Sequence, residues 1–246
     1  LSTLNFHHFD NLQSLFEHIC KETAIGLNID RVSIWENTEE KITLENIYVQ
    51  HEDKHYADLT LNKNDFKNYF QAIAKDPLVI ASDVYQNNDL IDFAHEYFPK
   101  YNIKSLLDIP IYISGKLKAI LCLEATNEIK YWSTEDINFA KTIGDIIALT
   151  IETTKRKNAE NQIIYKNEIL TAIANVTSNL LIHKDKSKIF DSSIEQMGKV
   201  LKVDRLYYFE NDIKTNLISQ RFEWVSETDL AEIDNPDLQN FPHDLF

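Results

Sequence analysis

The sequence predicts an α+β fold: an antiparallel sheet flanked by helices, then a long helix, then the opening of a second module of the same kind. Three observations carry this. Residues 104–113 (KSLLDIPIYI) and 116–126 (KLKAILCLEAT) are strand-like and flank Ser114-Gly115, which reads as a hairpin turn. Segments of helical period precede, separate and follow the strands. The chain also repeats itself at an offset of 174 residues. Leu15-Phe16 align with Ile189-Phe190, and Leu27, Ile29, Asp30, Arg31, Glu36 and Asn37 align with Leu201, Val203, Asp204, Arg205, Glu210 and Asn211.

In chain order, residues 10–28 place Leu12, Leu15, Phe16, Ile19 and Ile25 on one face of a first helix. Residues 29–36 (IDRVSIWE) are rich in β-branched and aromatic types and predict a strand, returned by 41–50 (KITLENIYVQ) after a turn at 37–40. Residues 53–61 read as loop with a short edge strand. A helix at 65–75 turns Phe66, Tyr69, Phe70 and Ile73 inward, Asp76-Pro77 ends it, and 78–81 is a short strand. Residues 89–101 read as one helix with Leu90, Phe93, Ala94, Tyr97 and Phe98 as its apolar set, its last turn distorted by Pro99. With Ser114-Gly115 as the turn, Asp108 lies opposite Leu121 and Leu107 opposite Cys122. Both faces of that hairpin are then mostly apolar, so the sheet should be covered on both sides.

The long helix spans 133–183. Ser133 is a good N-cap, Glu135 and Asp136 put negative charge in the first turn, and Trp132 can pack across the cap onto Ile137. Ile137, Ala140, Gly144, Ile147 and Ile151 then form one apolar stripe. Beyond Lys155-Arg156-Lys157 the stripe resumes at Ala159, Ile163, Leu170, Ile173 and Leu180, displaced by one residue and interrupted by Lys166 and Thr177. At roughly 1.5 Å per residue such a helix reaches about 75 Å. The alternative is two helices with a kink near Asn158. Past it, 216–224 (NLISQRFEW) is the second strand of the repeated module, which stops before any equivalent of the 104–126 hairpin. The expected domains are 1–154, the overlapping helix 133–183, and an incomplete module at 184–246. A start at Leu1 rather than Met also leads us to expect a piece of a longer protein.

Composition narrows the function classes. A net charge of −14 disfavours nucleic acid or an anionic membrane as partner. No apolar run approaches the about 18 residues of a membrane span, and no signal-peptide pattern opens the chain. Cys20 and Cys122 provide no disulfide framework or zinc site and fit a reducing cytoplasm. Only four glycines occur and none forms a phosphate-cradling cluster. No nucleophile–base pair or metal-ligand set is visible, so no catalytic residue is assigned and no enzymatic activity is expected of this chain.

From Asp10 to Thr154 the chain resembles a GAF domain, the small-molecule-sensing module of bacterial signalling proteins and cyclic-nucleotide phosphodiesterases. The resemblance rests on the first helix with Asp30-Arg31 opening its strand, Ser105-Leu106-Leu107 with Pro110, Gly115, the strand from Leu121 to Ala125, and Trp132-Ser133 with Glu135-Asp136. Residues 186–246 resemble the opening of a second such domain, including Ile233-Asp234-Asn235-Pro236. The resemblance implies an antiparallel sheet with the first and last helices on one face and a ligand cavity on the other. It also implies an exit helix leading to an output such as a histidine kinase or a cyclic-di-nucleotide enzyme.

The family's chemistries fit unequally. The cyclic-nucleotide subset carries Asn-Lys, then Phe, then Asp-Glu, where this chain has Asn127-Glu128, Trp132 and Asp136-Ile137. The lysine-to-acid change reverses the motif's charge and disfavours such a ligand. Cys20 on a helix and Cys122 in a strand suit neither bilin attachment nor a methionine sulfoxide reductase. His95 borders the expected cavity and could ligate haem, but a lone histidine is more often structural; His7-His8, His51 and His55 lack partners at metal-ligand spacing. The cofactor stays unassigned.

Asp108 stands out as a carboxylate among Leu106, Leu107, Ile109 and Ile111. It could receive a polar ligand group, or be a satisfied core acid. Trp35, Tyr48, Phe66, Phe93 and Tyr97 complete the candidate ligand-binding set, with Tyr69 as further aromatic surface and Glu124 as an exposed, weaker candidate. Asp30-Arg31, present in both copies, reads as a structural join. Two functions follow: a ligand-sensing module acting through the exit helix, or a ligand-free dimerisation and spacer module. Either predicts a parallel homodimer through 133–183, since the second stripe has no partner within the chain.

Overall fold

A computed structural model describes residues 11–182 and 186–242. His7-His8, His183 and the last four residues lie outside the described residues. The chain divides into two compact units, Leu1–Arg156 and Lys157–Phe246.

The first unit opens with α1 (Leu12–Leu27), capped by the Asn11 side chain, which accepts from the Ser14 amide at 2.9 Å, and closed by Asn28 in the left-handed region. There follow β1 (Arg31–Asn37), β2 (Lys41–Val49), β3 (Lys54–Tyr56), β4 (Thr60–Asn62), α2 (Lys67–Lys75) and β5 (Val79–Ala81). A 3-10 segment (Asn88–Phe93) and α3 (Tyr97–Tyr101) lead to β6 (Ser105–Ile113), β7 (Lys116–Ala125) and α4 (Thr134–Ile182). The strands form one antiparallel sheet in the order β3-β2-β1-β7-β6-β5, with β4 on the other end of β2. One face packs Phe16, Ile19 and Ala24 of α1 and Ala140, Ile143 and Ile147 of α4 against Ile34, Ile109 and Leu121. The other packs Tyr69, Ile73, Phe93 and Phe98 against Leu44, Leu106 and Ile120.

Two details depart from the expected elements. Residues 89–101 do not form one helix. The 3-10 segment and α3 are separate, and Pro99 lies in the first turn of α3, where its missing amide has no intrahelical acceptor to lose. Ser114 and Gly115 do form the hairpin turn, with φ of 51° and 73°. Lys118, however, is an extra residue on β7: Tyr112 pairs with Leu117 but Ile111 pairs with Ala119. This bulge moves the register by one, so Asp108 faces Cys122 and Leu107 faces Leu123.

Helix α4 is a single element of 49 residues. Its start is a reciprocal box in which the Asp136 amide donates to Ser133 Oγ and the Ser133 amide to Asp136 Oδ2, both at 3.1 Å. The first stripe is covered: Ala140 and Ile147 are buried, and at Gly144 an added Cβ would stand 2.9 Å from Ile109 Cγ2. That close approach explains the glycine at this helical position.

In the second unit, the last part of α4 half-buries Ile169 and Val176 and buries Ala172. Ile163, Leu170 and Ile173 are exposed. Helix α5 (Lys186–Leu201) has the length of α1, displaced by 174 residues at both ends. Strands β8 (Arg205–Asp212) and β9 (Leu217–Val225) reproduce the β1–β2 pair, and β10 (Phe241–Pro242) adds to β9. Even the bulge recurs, between Ile34 and Trp35 in the first copy and between Tyr208 and Phe209 in the second. β1 lies between β2 and β7, whereas β8 is an edge strand with no buried side chain.

Candidate functional site

The face of the sheet opposite α1 and α4 carries a small, partly open cavity of about 30 Å³. Alternation along the strands sends Leu106 and Asp108 of β6, Cys122 and Glu124 of β7, and Trp35 of β1 to its floor. Tyr69 of α2, Phe93 of the 3-10 segment, and Tyr97 and Phe98 of α3 close it from above, with Ile42 and Leu61 at the side. Such a volume holds about two waters.

Asp108 is 1% exposed. Its Oδ2 accepts a hydrogen bond from the Tyr69 hydroxyl, and its Oδ1 has no partner. Burial pushes the carboxyl up to about 7, against the Tyr69 hydroxyl and the Cys122 thiol, which favour the charged form, and with some help from Glu124. Burial, with Asp108 beside them, holds the Tyr69 hydroxyl and the Cys122 thiol well above their usual ranges, so both stay protonated.

Glu124 is answered differently. The Arg31 Nε donates to its Oε2 at 2.8 Å, and the guanidinium lies 4.4 Å from the ring centre of Tyr101. Burial and the neighbouring Glu124 carboxylate push the Tyr97 hydroxyl well above its usual range. Tyr69 is held in place from behind. The Asn68 and Tyr69 amides at the start of α2 donate to Asp92 Oδ2 at 2.7 and 3.4 Å, tying α2 to the 3-10 segment.

The structure brings Asp108, Trp35, Phe93 and Tyr97 together at the cavity. Phe66 is one layer behind, stacked on Phe93 with ring centres 4.4 Å apart. Tyr48 is on the opposite face of the sheet, where its hydroxyl donates to Asp53 Oδ1 at 2.8 Å. The cause is the extra residue Glu45 in β2. Ile42 and Leu44 lie on the cavity side of the sheet, but past the bulge that side passes to Ile47 and Val49, and Tyr48 turns to the helices.

Glu124, expected to be exposed, is 2% exposed, and Arg31, read as a structural join, is its partner. The signal for Arg31 was its period-two relation to Trp35 along β1. Asp30 does make a join, accepting from the Thr126 amide at 2.7 Å. Asn127, Trp132 and Asp136 of the cyclic-nucleotide pattern also serve the frame. They bond Asp30, the Ala81 carbonyl and Ser133, and none lines the cavity. His95 is exposed in the turn before α3. Among the described residues no group of three His, Cys, Asp or Glu is placed to hold a metal ion, and no helix is long and apolar enough to cross a membrane. Two wider grooves, of about 630 and 800 Å³, are open and contain no buried titratable group.

Comparison with known proteins agrees with this architecture. The family model described as GAF domain matches residues 11–151. The methanogenesis regulatory histidine kinase FilI of Methanothrix harundinacea (strain 6Ac) is 30% identical over 100 residues, which cover 40% of this chain and 11% of that protein. The match thus spans about a tenth of the relative's length. The phycocyanobilin-bound GAF domain from a cyanobacterial phytochrome superposes with a TM-score of 0.53 at 15% identity, covering 62% of this chain and 90% of that one. The blue-light-absorbing form of the Thermosynechococcus elongatus PixJ GAF domain gives 0.50 at 16% identity, covering 60% and 90%. At these identities the two structures speak for the fold alone.

Proposed function

Because the chain belongs to the GAF domain family, we propose that it is the sensory region of a signal-transduction protein, in which a small molecule enters the Asp108 cavity and alters the exit helix. The observation that carries this reading is the unpartnered Asp108 Oδ1, buried within an aromatic enclosure. The partial match to a histidine kinase favours a kinase output beyond this chain. We assign sensing to residues 1–154, transmission to 133–183, and an incomplete second module to 184–246. The ligand-free spacer is the second reading. It is favoured by the cavity's small volume, which the aromatic rings nearly fill. A small-molecule screen by thermal shift separates the two: a ligand whose effect is lost in Asp108→Leu supports sensing, and a blank screen with retained dimerisation supports the spacer.

Both readings use a parallel homodimer through α4. Ile163, Leu170 and Ile173 repeat at heptad spacing and are 58%, 63% and 46% exposed, so a second copy can cover them by two-fold symmetry. Burial of that stripe contributes roughly 25 cal/mol per Å², and Lys166 and Thr177 on the same seam keep the association modest. Light scattering should give twice the chain mass at micromolar concentration and a single mass for Ile173→Asp. Leu170→Cys should cross-link to itself across the seam. A wild-type monomer, or a dimer indifferent to Ile173→Asp, refutes the helix seam.

A further inference from the structure

We propose that the cavity beside Asp108 takes a small organic ammonium ion of methylammonium size, bonded to Asp108 Oδ1 and packed against the surrounding rings. This deepens the sensory reading and rests on it.

The argument begins with a charge count. The floor holds two carboxyl groups, Asp108 and Glu124, and among the described residues the one cation that reaches them, Arg31, is bound to Glu124 at 2.8 Å and lies against Tyr101. Among the described residues no lysine, arginine or histidine lines the cavity. Asp108 is thus an acid without a base: it lines the cavity beside the Cys122 thiol, its Oδ2 is taken by Tyr69, and its Oδ1 is buried without a hydrogen-bond partner. Burial raises this carboxyl to about 7, so near neutrality a proton occupies the place a cation would take.

Size and surroundings then select the cation. A volume of about 30 Å³ suits a body of about two heavy atoms, and excludes nucleotides and bilins unless the roof opens. Trp35, Tyr69, Phe93, Tyr97 and Phe98 supply five aromatic rings, surroundings that attract a weakly hydrated organic cation. A calcium or magnesium ion needs a shell of about six or more oxygens, the lining supplies few beyond Asp108, Glu124 and the Tyr69 and Tyr97 hydroxyls, and among the described residues no group of three His, Cys, Asp or Glu is placed to hold a softer metal. An ammonium group instead directs one N–H to Oδ1 and leaves its methyl group to the rings.

Titration calorimetry on the full chain tests this, with methylammonium chloride against sodium chloride, potassium chloride and neutral methanol. The expected result is saturable binding of methylammonium alone, with net proton release near neutrality because the cation displaces the Asp108 proton. Asp108→Asn should weaken binding at least about tenfold and abolish the proton release. Phe93→Leu should weaken it while the proton count stays unchanged. Potassium binding equal to methylammonium, or proton release unchanged in Asp108→Asn, overturns the proposal. Methanol binding without methylammonium binding overturns it too, yet leaves a small-molecule cavity standing. No response to any probe beyond that of sodium chloride removes the ammonium assignment, and with a blank thermal-shift screen the sensory reading falls as well.

Discussion

Asp108→Asn should flatten the pH dependence of the first unit's stability. The carboxyl has an ordinary value of 3.8 and titrates at about 7 in the fold. Between those values the folded chain holds a proton that the unfolded chain has released. The stabilisation is therefore complete below the unfolded value, is lost as pH rises towards about 7, and levels off above it. About three pH units at roughly 1.36 kcal/mol each set an upper bound of about 4 kcal/mol. Asparagine keeps an acceptor for the Tyr69 hydroxyl but buries an amide group with no partner, at a cost of about 1–3 kcal/mol. The variant should thus be less stable than wild type near pH 4 and more stable above about pH 7, each by about 1–3 kcal/mol. Urea denaturation across that range measures the crossing, with hydrogen exchange in β6 and β7 assigning the transition to this unit. Parallel pH profiles for wild type and Asp108→Asn would refute the reasoning.

Three further outcomes follow from the same geometry. Arg31→Met strands the Glu124 charge in the core and should cost about 3–5 kcal/mol by denaturant midpoint, much of it recovered in Arg31→Met/Glu124→Leu; no recovery would mean that the loss lies in the Tyr101 contact. Gly144→Ala drives a methyl group against Ile109 and should cost about 1–3 kcal/mol, whereas an unchanged melting temperature would show that the helix shifts freely. Amides of β8 and β9 should exchange faster than those of β1 and β7, since among the described residues β8 pairs with β9 alone and has no buried side chain. Uniform protection across both units would show that another chain covers that edge.

Much of the frame is legible in the sequence because it depends on local chemistry. Ser133 with Asp136, the Ser114-Gly115 turn and the stripe from Ile137 to Ile147 are short-range signals. The 174-residue repeat carries over to the helix ends and even to the bulge. What escaped were parity errors. A bulge leaves no residue signature, yet Lys118 changed the partner of Asp108 and Glu45 reversed the face of Tyr48. The Arg31–Glu124 pair joins residues 93 apart, and no local pattern announces such a contact. Asp108 was visible because an acid in an apolar strand is costly wherever the strand goes.

Strand β6 turns Asp108 to the cavity and the next residue, Ile109, to Gly144 of α4. The two Cα atoms are joined by one planar peptide, so a displacement of the backbone at Asp108 is passed on to Ile109. At Gly144 there is no slack to absorb a displacement. Within the first unit α4 extends roughly 18 Å from that fulcrum to Arg156, so a tilt of about 3° moves that point by about 1 Å. Under the proposed sensory reading, a shift of a few tenths of an ångström beside Asp108 is passed through Ile109 to the helix and enlarged along it.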